Sequence, residues 1–404
     1  MRRLPMHAAH FPVYFYKLPT RGETMAVSQT ALADRFAELQ GARATWLVPA
    51  AHTVDVIAKI GLLGPEDRLV AFSDDFADSF ESKFPGKDVQ LIADPAPDAF
   101  LAASGWGAQD EEAPIGWGSA QLAVTGSPAS YAYPAGRTSN RTFWFVGSIG
   151  GIGLRVPDLR ELSRAAAACG ALLIVDNTVA SAFGCKPLSL GATIALEALD
   201  RVGAGRLGQK LVAVSVARSL SGRGRHRIVR PEAEDAYRLL AFGLGDPASP
   251  SASDLLPEHE LLVLQEGIAT LPERMQRHFD NARAIAEYLR CHPRIGRVAY
   301  PGLKTHPDCG LASTVLEHGF GPAVDFCLTG SADETADERN RRFLEMCPVA
   351  NRSKRAGGCA TRMSVVTMRD VSYLRIFAGT DDPLYVADSL DQALRLFCNP
   401  PEPL

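Results

Sequence analysis

The stretch that decides the fold is LLIVDNTVASAFGCKPLSLGATIALEALDR, which runs from Leu172 to Arg201. It opens on a short apolar run that predicts a buried strand, and this strand ends in Asp176. A basic residue, Arg201, follows 25 positions after Asp176 (201 − 176). What a carboxylate and a guanidinium at this separation can do depends on the elements around them.

Strands and helices alternate on both sides of this stretch. Apolar runs predict strands at 88–94 (DVQLIAD) and 142–146 (TFWFV). Helical spacing predicts helices at 30–42 and 156–170, each with a glycine at its end and the second with a proline at its start. Strands joined by helices are typical of a mainly parallel sheet with helices on both faces. The sequence therefore predicts an α/β fold.

The C-terminal part has a different order of elements. A long amphipathic helix is predicted from about Leu261, followed by the strand-like runs VAYPGL, AVDFCL and YLRIFAG and a last helix. We expect a smaller α+β domain after the linker-like stretch GDPASPSASDLLP. The predicted domains are a large one at 1–250, with a short N-terminal arm, and a small one at 251–404. A stretch at 101–141, rich in glycine, alanine and serine, predicts an irregular insertion.

Composition and charge argue against several classes of function. The 404-residue chain has a formal net charge of −4, which gives no overall attraction to nucleic acid or to anionic membranes. No apolar run reaches the length of a transmembrane helix. The eight cysteines form no C-x-x-C pair, which indicates neither a disulfide framework nor a zinc site. We expect a cytoplasmic protein that binds no metal, nucleic acid or membrane.

Three long, collinear blocks carry a resemblance to a known family: LLIVDNTVASAFGCKPLSLGA, GIATLPERMQRHFDNARAIAEYLRCHPRIGRVAYPGLKTHP and YLRIFAGTDDPLYVADSLDQAL. Together they resemble the Cys/Met-metabolism family of pyridoxal-phosphate (PLP) enzymes, which includes cystathionine γ-synthase, cystathionine γ-lyase and methionine γ-lyase. The resemblance covers roughly residues 15–395. It implies the aspartate-aminotransferase-like fold of type I PLP-dependent transferases, and usually a tetramer built from dimers.

The resemblance implies a cofactor site with three features: a lysine that forms the aldimine, a carboxylate at the pyridinium nitrogen, and a cradle for the phosphate. Asp176 matches the carboxylate. The family's S-x-T-K falls on Ala198–Arg201, so Arg201 stands at the lysine position. Arginine stays protonated and is a very poor nucleophile, and Asp200 would repel the phosphate. We therefore predict that PLP, the family cofactor, is not held here as a covalent aldimine.

Other cofactor contacts implied by the resemblance also differ from the family pattern, and these differences too argue against bound PLP. The phosphate loop falls on the apolar segment Val48–Ala51, in which Pro49 has no amide donor. The loop that contacts the cofactor's ring oxygen falls on Gly147–Ile152 and lacks the family's asparagine. The aromatic residue that stacks on the pyridine ring falls near Phe76, which could still do so.

One substrate contact is retained in the resemblance. Arg375 matches the arginine that binds the substrate α-carboxylate, for which a planar guanidinium is well suited. The alternative is a surface arginine on an edge strand. Arg355 lies in the nearby loop, where the family has other polar contacts. Together with Arg201, these residues predict a cationic pocket for an anionic, amino-acid-like ligand.

Two weaker signals concern a loop and a histidine. GSIGGIG at 147–153 resembles a nucleotide-binding loop but lacks the G-x-G-x-x-G spacing, so a turn of small residues is favoured. His306 and Asp308 lack further metal-ligating neighbours and indicate ordinary polar residues. Neither signal predicts a separate site.

Three functions stay open at this point. The chain is a divergent, PLP-free family member that binds such a ligand or does altered chemistry in the former pocket. Or it is a non-catalytic subunit that pairs with an active paralogue. Or it is an active PLP-dependent enzyme that eliminates or replaces a C–S or C–O substituent on an amino acid, using Lys210, the lysine nearest to Arg201, or an unexpected geometry. The expected assembly is a homo-dimer or tetramer, or a hetero-oligomer with an active paralogue. In the first case we expect Arg201 to face Asp176 in the domain cleft and to pair with Asp176 or Asp200.

Overall fold

The computed structural model describes residues 27–61, 63–72, 83–106, 141–221, 228–329, 334–347, 358, 360–368 and 371–398. Within these ranges the strands form a seven-stranded sheet, a four-stranded sheet and a two-stranded hairpin. Most of the insertion predicted at 101–141 lies outside the described residues.

The larger sheet has the strand order β1-β7-β6-β5-β4-β2-β3. Its strands are Ala44–Pro49 (β1), Arg68–Phe72 (β2), Asp88–Ile92 (β3), Thr142–Gly147 (β4), Leu172–Asp176 (β5), Ile194–Ala198 (β6) and Leu211–Val216 (β7). Neighbouring strands from β3 through β2, β4 and β5 to β6 pair in parallel. Strand β7 is antiparallel to both β6 and β1. The predicted mainly parallel sheet is confirmed.

Helices accompany this sheet along the chain. In the described ranges they are Gln29–Gln40, Thr53–Lys59, Pro97–Ala103, Leu159–Cys169, Ser181–Gly184 and Pro231–Leu244. The fourth of these follows the cap residue Asp158, whose carboxylate accepts hydrogen bonds from the first amides of the helix. The predicted start at Pro157 is therefore wrong. The predicted glycine end is confirmed, because Gly170 adopts the left-handed conformation with φ 70°.

The larger sheet is buried on both faces. Consecutive residues of β4 alternate between two clusters: Trp144 packs with Phe100 on one face, and Phe143 and Phe145 pack with Leu240 on the other. A strand covered on both sides needs apolar residues at every position. This explains why β4 is a continuous apolar run in the sequence.

The smaller sheet is antiparallel, in the order β10-β11-β13-β12. The remaining strands are Leu220–Ser221 (β8) and Ile228–Val229 (β9), which form the hairpin, and Ile295–Ala299 (β10), Ala323–Leu328 (β11), Arg362–Met368 (β12) and Val371–Phe377 (β13). Helices Cys309–Val315, Ala336–Met346 and Pro383–Cys398 belong to the same part of the chain. The predicted mixture of elements is found, while the domain division at residue 250 stays a prediction.

A helix of 34 residues, Glu258–Cys291, joins the two sheets and is called the long helix below. At 1.5 Å per residue it is roughly 50 Å long. Gly267 packs against the backbone that follows β6, where an added Cβ would lie 2.3 Å from the Cα of Ala204. Nearer its end, His278 Nδ1 hydrogen-bonds the carbonyl of Ala378, which follows β13, at 2.6 Å. Across the described ranges, no helix has both the length and the apolar character that crossing a membrane requires.

Candidate functional site

Asp176 lies at the carboxyl end of β5, between the ends of β4 and β6. Its Oδ2 accepts a hydrogen bond from the Thr53 hydroxyl at 2.5 Å, and its Oδ1 accepts one from the amide of Thr178 at 2.9 Å. Burial raises the pKa of Asp176 above its ordinary value, and the hydrogen bonds from Thr178 and Thr53 oppose this rise. The chain's own donors thus hold the carboxylate that the resemblance assigns to the pyridinium nitrogen.

The backbone of Arg201 lies in a π-helical turn, Leu199–Gly203, directly after β6. Arg274 of the long helix fixes this turn, because it donates to the carbonyls of Val202 at 2.9 Å and Gly203 at 2.8 Å. π-Helical turns are rare in proteins, and those that occur often lie at functional sites. The side chain of Arg201 is not among the described parts of the chain, so its orientation and its pairing stay predictions.

Lys210, the lysine considered as a substitute nucleophile, lies directly before β7. Its Nζ forms an ion pair with Oδ2 of Asp200 at 2.6 Å, and Asp200 is buried. Asp200, which the sequence offered as a partner for Arg201, pairs with Lys210, and its pairing with Arg201 stays a prediction.

The segment that the resemblance assigns to the phosphate already makes hydrogen bonds within the chain. Pro49 has no amide hydrogen, and the amide of Ala50 donates to the carbonyl of Lys210 at 3.3 Å. The amide of His52 donates to Oδ2 of Asp55 at 2.9 Å. A carboxylate of the chain thus takes up a donor at the start of the following helix, where an external anion would otherwise bind.

These contacts test whether the residues fit the cofactor that the resemblance implies. Asp176 suits a protonated pyridine nitrogen, because it is a half-buried carboxylate at a strand end. The Val48–Ala51 segment suits a phosphate poorly, since Pro49 has no amide hydrogen and the amide of Ala50 is engaged. The described residues therefore fit the ring nitrogen and not the phosphate.

Arg375 lies on β13, which β11 and β12 flank, and it is buried. Its Nε donates to Oδ1 of Asp325 at 2.7 Å and its Nη2 donates to Oδ2 at 2.9 Å. The side chains of Arg375 and Asp325 are only 3% and 0% exposed. The alternative of a surface arginine on an edge strand is wrong. The bidentate face that the resemblance assigns to a substrate carboxylate holds a carboxylate of the chain, and the substrate contact stays a prediction.

The glycine-rich loop after β4 makes contacts to this ion pair. Arg375 Nη2 donates to the carbonyl of Gly151 at 2.7 Å, and the amide of Gly153 donates to Oδ2 of Asp325 at 3.0 Å. Gly151 has φ 73°, and an added Cβ would lie 2.4 Å from the ring of Phe72. The loop thus needs glycine in order to reach the smaller sheet, which agrees with the turn of small residues that the sequence favoured.

Phe76 and Arg355 lie outside the described residues, so their assigned roles stay predictions. His306 Nε2 hydrogen-bonds the carbonyl of Gly153 at 2.8 Å, so His306 is an ordinary polar residue, as the sequence indicated. Among the residues that the structure describes, no group of three His, Cys, Asp or Glu side chains is arranged to hold a metal ion.

Sequence reasoning missed four polar residues of this region: Thr53, Asp325, Arg362 and Ser364. Asp325 carried a signal, since it is the one charged residue in the apolar run AVDFCL. Arg362 and Ser364 are buried on β12, and each has side-chain atoms without a hydrogen-bond partner in the described part of the chain. Their burial depends on how the two sheets pack and left no mark on the local sequence.

A model of the family described as Cys/Met metabolism PLP-dependent enzyme matches residues 133–374. Cystathionine gamma-lyase from Bos taurus is 29% identical over 245 residues, which are 57% of this chain and 54% of that protein. L-methionine gamma-lyase from Fusobacterium nucleatum subsp. polymorphum is 32% identical over 200 residues, which are 49% of this chain and 45% of that protein. The chain therefore spans about half the length of the curated relatives that it matches.

A solved structure supports the fold. The crystal structure of apo CalE6, a methionine gamma lyase from Micromonospora echinospora, matches with a TM-score of 0.64 at 23% identity, covering 90% of this chain and 85% of that chain. The predicted aspartate-aminotransferase-like fold is thereby confirmed. Because the family model covers more than half of the sequence, the chain belongs to the Cys/Met-metabolism family of PLP-dependent enzymes.

Proposed function

We propose that this chain is a divergent member of its family, one that does not hold PLP as an aldimine. In the former cofactor pocket it binds a small anionic, amino-acid-like ligand or carries out altered chemistry. The observation that carries the proposal is the segment Val48–Ala51, in which Pro49 has no amide hydrogen and the amide of Ala50 donates to the carbonyl of Lys210. Arg201 at the lysine position supports it, because a guanidinium forms no Schiff base under cellular conditions.

The charges assigned to the pocket support the same proposal. Asp176 is held by Thr53 and Thr178 and needs a counter-charge when no pyridinium is present. Arg201 belongs to the turn that follows the neighbouring strand β6, and it is the residue that we propose for that charge. A permanently protonated side chain would then replace the protonated ring of the cofactor.

The visible absorption spectrum of the purified protein tests this proposal. The protein is titrated with PLP and treated with borohydride, which reduces an aldimine to a stable adduct on its lysine. We expect no stoichiometric visible band and no labelled lysine. One band per chain, with a labelled peptide found by mass spectrometry, would refute the proposal. The same titration on Lys210→Met would then show whether Lys210 carries the adduct.

A second candidate is an active PLP-dependent lyase or transferase that acts on an amino acid. The activities in the names of the relatives favour it, since they include cystathionine gamma-lyase and methionine gamma-lyase. This candidate requires a lysine with a free amine at the cofactor, and the ion pair between Lys210 and Asp200 argues against the nearest one. The spectrum described above separates the two candidates directly.

A third candidate is a non-catalytic partner of an active paralogue, in a cytoplasmic oligomer. The resemblance supports it, because it implies an active site shared across a dimer. Co-expression with an intact paralogue, followed by size-exclusion chromatography, tests it. A stable mixed oligomer with higher activity than the paralogue alone would favour the partner role, and separate elution would favour the ligand-binding role.

A further inference from the structure

Strand β12 carries a buried arginine that no contact of the described chain neutralises. Arg362 is 9% exposed, and its Nε and Nη1 have no hydrogen-bond partner. Two carboxylates of the same region are engaged elsewhere. Asp325 binds Arg375, and Oδ2 of Asp381 accepts from the amide of Thr361. A buried guanidinium without a counter-charge is unfavourable, so this position calls for an anion.

Ser364 lies on the same face of β12, because side chains two residues apart in a strand point the same way. It is 3% exposed, and its Oγ also lacks a hydrogen-bond partner among the described residues. Ser364 is opposite Arg375 in the register with β13, and Arg362 is opposite Phe377. Phe377 packs in the apolar cluster of the larger sheet. The two unpartnered polar side chains therefore lie on the face of the smaller sheet that is turned toward the larger one.

A glycine, Gly358, lies beside the guanidinium of Arg362. Gly358 has φ 89°, and a Cβ added there would lie 2.6 Å from Nη2 of Arg362. A side chain at this position would therefore press on the guanidinium, and glycine avoids this contact.

We propose that Arg362 and Ser364 bind a small oxyanion, a carboxylate or a phosphate group. The guanidinium supplies the charge and an open donor nitrogen, Nε or Nη1, and the serine hydroxyl supplies a second donor. The site is distinct from Arg375, whose bidentate face is filled by Asp325. The inference deepens the proposed function, on which it rests, because it names the residues that hold the acidic group of the ligand.

Thermal unfolding in sodium acetate, in sodium phosphate and in sodium chloride of equal ionic strength tests the site. Wild type is compared with Arg362→Met, Ser364→Ala and the control Arg395→Met, which removes an exposed arginine of equal charge. We expect acetate or phosphate to raise the melting temperature of wild type and of the control by a few degrees more than chloride does. The increment should vanish in Arg362→Met and shrink in Ser364→Ala. The more effective anion identifies the acidic group.

Equal increments in wild type and Arg362→Met, or no increment in wild type, would overturn the inference. If Arg362→Met does not fold, Ser364→Ala decides, because it removes only a hydroxyl. In chloride, Arg362→Met should melt no lower than wild type, since it loses an uncompensated charge. All these melting measurements are made without PLP. A missing anion effect would therefore refute only the oxyanion site, whereas an aldimine band in the PLP titration would refute the proposed function.

Discussion

Replacing Asp325 with asparagine removes the charge of a buried carboxylate and keeps its shape. The partner, Arg375, is 3% exposed, so water cannot screen the guanidinium that is left behind. Breaking a buried pair from one side costs about 3–5 kcal/mol. Because about 1.4 kcal/mol is a factor of ten, the folding equilibrium constant should fall by roughly two to three and a half orders of magnitude.

Equilibrium unfolding in urea measures this loss. The matched control is Asp391→Asn, which breaks the exposed pair with Arg395 and should cost less than about 1 kcal/mol. The double replacement Asp325→Leu with Arg375→Met should recover most of the loss, because an apolar pair needs no counter-charge. If Asp325→Asn loses no more than the control, the guanidinium is solvated or otherwise neutralised. The conclusion that Asp325 occupies the bidentate face of Arg375 would then be refuted.

Three further outcomes are expected. Arg201→Lys alone should give no stable aldimine band at micromolar PLP, because each charge-assisted hydrogen bond that the phosphate lacks weakens binding by about 1.5–3 kcal/mol. A stoichiometric band would mean that the phosphate site is intact. Burial raises the pKa of Glu197 from 4.5 to about 8, so the folded state keeps a proton that the unfolded chain releases, and the free energy of unfolding should fall as pH rises between these values. Glu197→Gln should flatten this slope in urea titrations, and an unchanged slope would contradict the burial argument. Gly267→Ala should lower the free energy of unfolding by about 1–3 kcal/mol, because its Cβ would meet backbone of the segment after β6. Gly310→Ala, whose Cβ would meet nothing within 4 Å, should be neutral or stabilising, and equal effects of the two changes would count against the close packing.

The main elements could be predicted because their patterns are local. The apolar run of β4 and the strand that ends in Asp176 were both evident from sequence, since each is buried on both faces. The start of the helix Leu159–Cys169 was misplaced because Pro157 suggested a first helical position, whereas Asp158 supplies the cap that ends the preceding segment. Such boundaries depend on one hydrogen bond, which a periodic pattern does not reveal.

The contacts of the site depend on register and packing, and these are not local. Arg375 could be singled out by resemblance, but its partner could not, because Asp325 comes to lie opposite it only through the pairing of β11 with β13. Thr53 reaches Asp176 for the same kind of reason, across a separation of 123 residues. Lys210 appeared free in the sequence, and the antiparallel return of β7 brings it to Asp200.

The long helix makes the two parts of the molecule mechanically dependent on each other. Arg274 holds the turn that contains Arg201, and Asn281, two helical turns further on, donates to the carbonyl of Gly379 at 2.9 Å. A tilt of about 5° about Asn281 moves the backbone at Gly267 by about 2 Å, since 14 residues span about 21 Å. Only Pro272, which removes one helical hydrogen bond, lies between them as a natural point of bending. A shift of the smaller sheet would therefore be passed along the long helix to the Arg201 turn, with Pro272 as the point inside the helix where bending is easiest.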